Sequence, residues 1–254
     1  PSRGLGDVYK RQLLSELEKN ELISKNPLIK KFIKRYMGAN DLINNVIRYC
    51  LWLVNASPRE LRNMPEILKR LEKVKENRLS SKKAATRKWA DRPFLFTENR
   101  QPDSDYLILP VVSSERRKYI PVCYVTKDVI ANANAQMIPN ANLYTFGVIN
   151  SNVHNAWMRV VCGRMKSDYA YSATIVYNNF PWCNPTPEQK AKIEKTAQAI
   201  LDARALYPDC SLADLYDETT MPPELRKAHQ ANDFAVMAAY GFDRKITESE
   251  CVAE

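Results

Sequence analysis

Glycine is scarce in this chain, which has only 6 glycines among its 254 residues. Glycine lets the backbone adopt positive φ or approach a phosphate closely, and the common nucleotide-binding turns need several glycines at fixed spacing. The sequence contains no GxGxxG or P-loop pattern. It therefore cannot be a mononucleotide-binding domain, and asparagine and proline must make most of its turns.

The sequence also lacks the usual motifs of enzyme and metal chemistry. It has no GxSxG elbow, no HExxH helix and no CxxC pair, and its only histidines are His154 and His229. Nucleophilic catalysis and zinc binding both need such residues in defined arrangements. The six cysteines are far apart, and we expect them to be reduced thiols. The sequence thus predicts no catalytic residue, cofactor site or metal site in this chain.

Positive charge is concentrated in the first half of the chain. Residues 1–120 contain 26 Lys and Arg against 14 Asp and Glu, whereas residues 181–254 contain 8 against 13. A polyanion would bind the basic half, because each neutralised phosphate releases counterions. A merely solvated basic surface has the same composition, so charge alone leaves both interpretations open. No apolar run is long enough to span a bilayer, and we expect a cytoplasmic protein without a membrane partner.

Both ends of the sequence favour a piece of a longer protein. The chain begins with Pro1 rather than Met, and residues 1–12 (PSRGLGDVYKRQ) resemble a translated sequencing adaptor, so we expect an artefactual tail there. At the other end, Thr247 and Glu250 form the capping box of a helix that stops after two turns. We therefore expect an internal fragment.

Periodicity and capping signals predict three regions. The first is mainly helical, the middle is rich in short β-like runs, and the tail is helical. This pattern predicts an α+β fold, in which a mixed-sheet domain is flanked by an N-terminal helical spacer and a C-terminal helical segment. The predicted helices span residues 13–20, 28–37, 58–63, 65–78, 82–90, 152–162, 187–206 and 222–240, and the predicted strands span residues 46–54, 94–97, 106–112, 119–126, 143–149 and 173–177.

Two clusters in the middle region are candidates for nucleic-acid contacts. Residues 113–119 (SSERRKY) join two predicted strands and carry three cations, which could reach phosphates or grip guanine. A solvated hairpin turn explains this loop equally well. In the second cluster, Arg164 and Lys166 precede a run of alternating tyrosines and could donate to phosphate. On the helix before them, spacing separates a packing face from a contact face that holds Asn155 and Arg159.

A set of short motifs occurs in the order found in one known family. The motifs are Arg48–Leu53 (RYCLWL), 113–121 (SSERRKYIP), 146–147 (FG), His154 with Trp157, 163–164 (GR), 167–169 (SDY), 171–172 (YS), 177–182 (YNNFPW), 212–216 (LADLY), 221–223 (MPP) and 227–229 (KAH). From about residue 27 to 243, the chain resembles the MmeI-like class I DNA methyltransferases of the type IIL/IIG restriction-modification systems. Many separate motifs in one order make this resemblance specific.

The resemblance implies a larger polypeptide. Its upstream domain would be an N6-adenine DNA methyltransferase that uses S-adenosylmethionine, in some members with a nuclease. Residues 13–92 would be the end of the methyltransferase core and a helical spacer, residues 93–182 the target-recognition domain, and residues 183–254 the C-terminal helical domain. The methyl-donor and catalytic motifs have no counterpart in this sequence. We therefore expect the fragment alone to be inactive, with S-adenosylmethionine bound only by the parent.

The expected partners are double-stranded DNA and the upstream methyltransferase domain of the same polypeptide. Phosphate contacts are expected from Arg116, Arg117, Arg164 and Lys166, and base reading from His154, Asn155 and Arg159. The adenine would then be extruded into the upstream domain. Two alternatives stay open, namely a stand-alone specificity subunit that recruits a separate methyltransferase, and an RNA-binding or structural protein whose basic surface is incidental. Selection of a short duplex motif would exclude the second alternative.

Overall fold

The computed structural model describes residues 12–132 and 134–254, which form two compact units. Of these residues, unit 1 contains 12–37, 47–101 and 128–130, and unit 2 contains 38–46, 102–127, 131–132 and 134–254. Each unit is assembled from segments that are separated in sequence. Neither unit therefore corresponds to one uninterrupted stretch of chain.

The secondary structure combines short strands with helices of very different length. The strands are β1 (Leu13–Leu14), β2 (Ile33–Met37), β3 (Arg48–Leu51), β4 (Tyr106–Pro110), β5 (Val112–Ser113), β6 (Cys123–Val125), β7 (Val129–Ala131), β8 (Ala135–Pro139), β9 (Gly163–Met165) and β10 (Asp168–Ala170). The helices are α1 (Glu16–Lys25), α2 (Ala39–Asn44), α3 (Pro58–Arg62), α4 (Pro65–Leu79), α5 (Ala84–Arg87), α6 (Leu143–Ile149), α7 (Asn152–Val161), α8 (Pro187–Ala205), α9 (Leu212–Leu215), α10 (Pro223–Tyr240) and α11 (Glu248–Ala253). A 3-10 helix spans Pro27–Phe32 and a π-helical turn spans Ala173–Tyr177.

Unit 1 is built on a four-stranded sheet with the order β1-β3-β2-β7. Strand β3 pairs antiparallel with both β1 and β2. Helix α4 begins with Pro65 at its first turn, and Ile67, Leu71 and Val74 recur at helical spacing on its buried side. Ile67 and Leu71 join the apolar core that Leu14 and other residues of this unit form. The unit therefore has a hydrophobic core of its own.

Unit 2 contains two antiparallel three-stranded sheets, with the orders β6-β4-β8 and β5-β10-β9. All five residues of β4 are buried, which fits its continuous apolar sequence. Helices α6, α7, α8 and α10 surround the cores of this unit. The main core includes Leu107, Leu109, Phe146, Ile149, Met158, Ile200 and Leu225.

The α+β fold class is confirmed, and so are the elements with clear local signals. The long helices α4, α8 and α10 begin and end within one or two residues of their predicted limits, and α10 ends at Gly241, whose φ is 77°. A side chain at this φ is strained, so glycine is the expected residue. Among the described residues, no helix combines the length and the apolar character that crossing a bilayer requires.

Several local predictions are wrong, and an N-terminal cap explains the clearest case. Residues 143–149 form helix α6 instead of a strand, because Asn142 caps the helix by accepting from Thr145 N at 2.9 Å. Residues 173–177 form a π-helical turn, and residues 94–97 form no strand. The predicted helix 28–37 is a 3-10 helix followed by strand β2. Aromatic and β-branched residues favour strands only weakly, so a cap and a packing partner override them.

Gly147 allows α6 to approach α8 and α10 closely. A Cβ atom at this position would lie 2.7 Å from Ile193 Cγ2, 3.0 Å from Asn232 Oδ1 and 3.1 Å from Ala197 Cβ. Asn232 Nδ2 also donates to Gly147 O at 2.7 Å, which fixes the two helices at this distance. The close approach is a requirement of the core that no local sequence signal announces.

We predict that Gly147→Ala destabilises the protein. Overpacking at such a contact costs about 1–3 kcal/mol, of which the better helix propensity of alanine offsets up to about 1 kcal/mol. Urea unfolding followed by helical circular dichroism should show a lower midpoint. Gly163→Ala is the control, because its added Cβ would meet only Ala170 Cβ at 3.9 Å. Equal midpoints for the two variants would contradict the packing argument.

Candidate nucleic-acid interface

The expected phosphate-binding residues lie at one end of the β5-β10-β9 sheet. Strand β10 is central, and Tyr169 is opposite both Ser113 of β5 and Arg164 of β9. Because β5 and β10 are antiparallel, the loop that leaves β5 after Ser113 emerges at the end where the hairpin turn enters β10. The register therefore brings the loop 114–118 and the turn 166–167 together.

The hairpin formed by β9 and β10 carries two cations, Arg164 and Lys166, which it holds in different ways. The Arg164 guanidinium stacks on the Tyr169 ring at 4.2 Å, and Arg164 Nη1 donates to Ser167 O at 2.9 Å. Lys166 lies at the turn with a φ of 59°, a conformation that is strained for any residue other than glycine. Both side chains are exposed. The hairpin thus presents an oriented guanidinium beside a solvated ammonium group.

The loop 114–118 also contains one exposed and one half-buried arginine. Arg116 is exposed. Arg117 is partly buried, and this burial lowers the pKa of its guanidinium, although the negative charges of Asp168 and Asp217 act to raise it. Among the described residues, no carboxylate forms an ion pair with Arg116 or Lys166, while Arg164 lies 3.8 Å from Glu115. Arg116, Arg164 and Lys166 are therefore available to an anion in solution.

Three hydrogen bonds fix the root of this loop from inside unit 2. Arg159 Nη1 donates to Lys118 O at 2.9 Å, and Ile120 N donates to Asn155 Oδ1 at 3.0 Å. Between them, the Tyr119 hydroxyl donates to Asp233 Oδ2 at 2.7 Å. The side chains that bond to residues 118–120 belong to α7 (Asn155 and Arg159) and α10 (Asp233). The position of the basic loop is therefore set by these two helices.

The structure places the three expected base-reading residues on α7, but it does not expose them together. His154 and Asn155 are both 0% exposed, and Arg159 forms a two-bonded ion pair with Glu248 at 2.9 and 2.5 Å. His154 Nε2 lies 3.0 Å from the Tyr171 hydroxyl, and burial lowers the pKa of His154 to about 3, so its ring is neutral. A side chain that solvent does not reach cannot meet a base edge in this conformation.

The contact face that spacing predicted on α7 is thus a second buried face. Only Val160 of this helix is exposed, because the helix is covered on several sides. Asn155 satisfies the backbone there, since its amide also donates to Ser151 O at 2.7 Å. Direct base reading by His154 and Asn155 stays a prediction that would require a change of conformation.

Sequence reasoning missed Asp233 and Tyr119. The Asp233 carboxylate accepts from the Tyr119 hydroxyl and, at 2.8 Å, from Asn152 N at the start of α7. Burial raises the pKa of Asp233 to about 6, although both hydrogen bonds act in the opposite direction. One signal was available: His229, Asn232 and Asp233 are polar residues at helical spacing among the buried apolar residues of α10.

Metal binding has no support in the described residues, where no three His, Cys, Asp or Glu side chains are grouped closely enough to hold an ion. His229, the second histidine, is buried, and its Nε2 lies 2.7 Å from the Tyr216 hydroxyl. Desolvation lowers the pKa of His229 well below its ordinary value. The chemistry of this region is therefore hydrogen bonding and charge.

Comparison with known proteins gives two family matches. A model described as the MmeI target recognition domain matches residues 6–184, and one described as the MmeI C-terminal domain matches residues 185–254. The first match begins well before residue 93, where we expected the recognition domain to start, and that boundary stays a prediction. Gln12, the last residue of the expected artefactual tail, is buried in unit 1 and donates to Pro93 O at 3.1 Å, and the rest of that tail lies outside the described residues.

Two relatives extend this similarity. DNA methyltransferase A of Bacillus subtilis (strain 168) is 35% identical over 228 residues, which are 90% of this chain and 26% of the relative. The structure of the type IIL restriction-modification enzyme MmeI in complex with DNA aligns with a TM-score of 0.90 and 45% identity, over 97% of this chain and 33% of that chain. The chain therefore spans about a quarter of the first relative and a third of the second.

We predict that Asp233→Asn changes how stability depends on pH. A carboxyl whose folded pKa is about 6, above its ordinary 3.8, contributes stability that is present at low pH and lost as the pH rises through about 6. Asparagine does not titrate. Between pH 4.5 and 7.5 the wild type should lose about 2 kcal/mol relative to the variant, measured by urea unfolding at both values. A difference that does not depend on pH would show that Asp233 ionises normally in the folded protein.

Proposed function

Because this chain belongs to the MmeI family, whose target recognition and C-terminal domains together match residues 6–254, we propose that it binds duplex DNA and selects its sequence. The observation that carries the proposal is the placement of the exposed cations Arg116, Arg164 and Lys166 at one end of a single sheet. Arg116 and Lys166 have no carboxylate partner among the described residues, and Arg164 has only a long, exposed ion pair with Glu115 at 3.8 Å, so the group attracts a polyanion. Cations that are already oriented bind at a lower entropic cost. The solved relative MmeI is described in complex with DNA, which supports the same partner.

We assign the phosphate contacts to these cations, with Arg117 as a further one in the same loop. Phosphate contacts position a protein on the duplex, whereas contacts to base edges specify sequence. Arg164 is oriented by Tyr169 and suits a two-bonded contact, and Lys166 acts as a point charge. Together they would set the register in which the sheet and its loops meet the groove.

We further propose that His154, Asn155 and Arg159 influence sequence reading as positioning residues. Asn155 and Arg159 bond directly to the loop that carries Arg116, and His154 bonds to Tyr171 just after β10. A shift of any of these hydrogen-bonded residues would move the loop 114–118 or the end of β10, and with them the cations that we assign to the DNA backbone. The burial of His154 and Asn155 fits this role, because the hydrogen bonds of a buried polar network make its surroundings rigid.

For the whole protein, we propose a cytoplasmic, adenine-specific DNA methyltransferase that acts within a restriction-modification system. The upstream domain would bind S-adenosylmethionine, which supplies the methyl group, and would receive the extruded adenine. The name of the Bacillus subtilis relative supports a methyltransferase, and the chain covers only 26% of that relative. The 254-residue chain alone would then bind DNA without methylating it.

We predict that Lys166→Gly weakens DNA binding without destabilising the fold. Glycine accepts a φ of 59° without strain, so the variant removes one charge and relieves the backbone. Fluorescence anisotropy with a random-sequence duplex should show that the slope of log affinity against log salt falls by about 0.9, the value for one phosphate contact. Lys195→Ala, which removes an exposed lysine from α8, is the control for the charge change. A slope equal to that of the wild type would remove Lys166 from the interface.

We predict that Asn155→Ala changes which sequences are bound. The variant leaves Ile120 N without its acceptor, which costs about 1–3 kcal/mol and loosens the root of the basic loop. Selection from a random duplex library, at a temperature where both proteins keep their full helix content, should give an altered sequence preference. The exposed Asn184, substituted by alanine, is the control. An equal loss of affinity for every sequence would limit Asn155 to a role in stability.

A further inference from the structure

Unit 1 carries a second group of exposed cations in a short segment after α4. This segment, residues 82–92, contains one acidic residue, Asp91. Its cations are all exposed and are Lys82, Lys83, Arg87, Lys88 and Arg92. Five cations against one acid within a single segment produce a concentrated positive field at the surface.

Ion pairing neutralises several cations of unit 1 outside this segment. The pairs are Lys19–Glu16, Lys25–Glu21, Lys31–Glu60, Lys34–Asp128, Arg70–Glu18 and Arg100–Glu98. Within the part of the chain that the structure describes, none of the five cations of the 82–92 segment has such a pair. Six carboxylates of unit 1 are thus paired with cations outside the segment, and among the described residues no ion pair neutralises a cation of the segment itself.

A buried arginine fixes the segment from below. Arg78 is 1% exposed, and its guanidinium donates to Trp89 O at 2.9 Å, Arg92 O at 2.9 Å and Leu95 O at 2.7 Å. A buried guanidinium is costly unless its donors are satisfied, so these carbonyls must stay in place. The segment has only the four-residue helix Ala84–Arg87 as regular structure, yet its backbone is held. The C-terminal part of the segment, residues 89–92, is therefore held at the backbone.

The composition of the exposed surface favours a nucleic acid over a protein as the partner. Protein interfaces are depleted of charge at their centre and depend on buried aromatic or aliphatic residues. No large apolar side chain of the 82–92 segment is exposed, as far as the described residues show. A surface that consists of cations and small residues matches a row of phosphates instead.

We propose that the 82–92 segment is a second binding surface for the phosphodiester backbone of duplex DNA, which contributes affinity without contributing sequence preference. This inference rests on the proposed function, since it assumes that the chain binds DNA. It assigns the affinity to two separate groups of cations, one on each unit. Only the unit 2 group, Arg116, Arg164 and Lys166, lies on the loop and hairpin that contact α7 and α10, where we place the influence on sequence reading.

The test compares two triple variants of the 254-residue chain that change net charge equally. One carries Lys82→Gln, Lys83→Gln and Lys88→Gln, and the control carries Lys190→Gln, Lys192→Gln and Lys195→Gln on the exposed side of α8. All six lysines are exposed, so both variants should fold like the wild type, which circular dichroism checks. Affinity for a random-sequence duplex is measured by fluorescence anisotropy between 50 and 200 mM salt.

We expect the slope of log affinity against log salt to fall by about 2.7 in the segment variant, or 0.9 for each lost phosphate contact. The wild type should then lose about 40-fold more affinity than this variant over the same fourfold salt range. The control should keep a slope close to that of the wild type. Selection from a random duplex library should return the same preferred sequence for the wild type and the segment variant.

Three outcomes would overturn the inference. If the wild type binds and both triple variants have the same slope, the segment makes no phosphate contacts, while the proposed function stands. If the segment variant loses affinity for polyglutamate but not for DNA, the partner is an acidic protein. If the wild type itself ignores duplex DNA at 50 mM salt, the proposed function fails together with this inference.

Discussion

The buried carboxylate of Asp233 is the interaction on which the arrangement of unit 2 depends. It accepts from the Tyr119 hydroxyl at 2.7 Å and from Asn152 N at 2.8 Å, so it joins α10 to the end of the basic loop and to the start of α7. A carboxylate in an apolar interior is tolerated only when hydrogen bonds compensate for the lost water. Both donors are therefore held in place, and the position of the loop that carries Arg116 is determined by this buried interaction.

Helix α7 extends this control to both basic elements of the sheet. Arg159 bonds to Lys118 at the end of the loop 114–118, and Asn155 bonds to Ile120 just after it. His154 bonds to Tyr171, the residue that follows β10. A polar residue that faced solvent could not serve in this way, because water would compete for the same hydrogen bonds. The burial that removes His154 and Asn155 from direct contact with a ligand therefore supports the positioning role that we propose for them.

The sequence predicts the elements whose ends are determined locally and fails where distant residues decide. A capping box formed by Thr186 and Gln189 begins α8, and Gly241, in the left-handed backbone conformation, ends α10. Both helices can therefore be predicted from local sequence alone. Residues 143–149 have the composition of a strand, but the Asn142 cap and the close contacts of Gly147 with α8 and α10 favour a helix there. The exposure of Arg116 and Lys166 could be predicted from their loops. The burial of Asn155 could not, because periodicity does not distinguish a polar side chain that faces water from one that faces a backbone amide.

Both units solve one electrostatic problem by the same physical means. Cations that must remain available to a polyanion cannot be held by surface carboxylates, since such pairs would neutralise them, and their mutual repulsion opposes a fixed arrangement. In unit 2, the Asp233 carboxylate and the α7 side chains hold the basic loop through its root. In unit 1, the Arg78 guanidinium holds the 82–92 segment through the carbonyls of Trp89 and Arg92. In each case a buried ionisable side chain bonds to groups behind the surface, and no carboxylate is needed in front of it to hold the exposed cations. The proposed affinity for phosphates would then depend on interior hydrogen bonding as well as on the number of lysines and arginines.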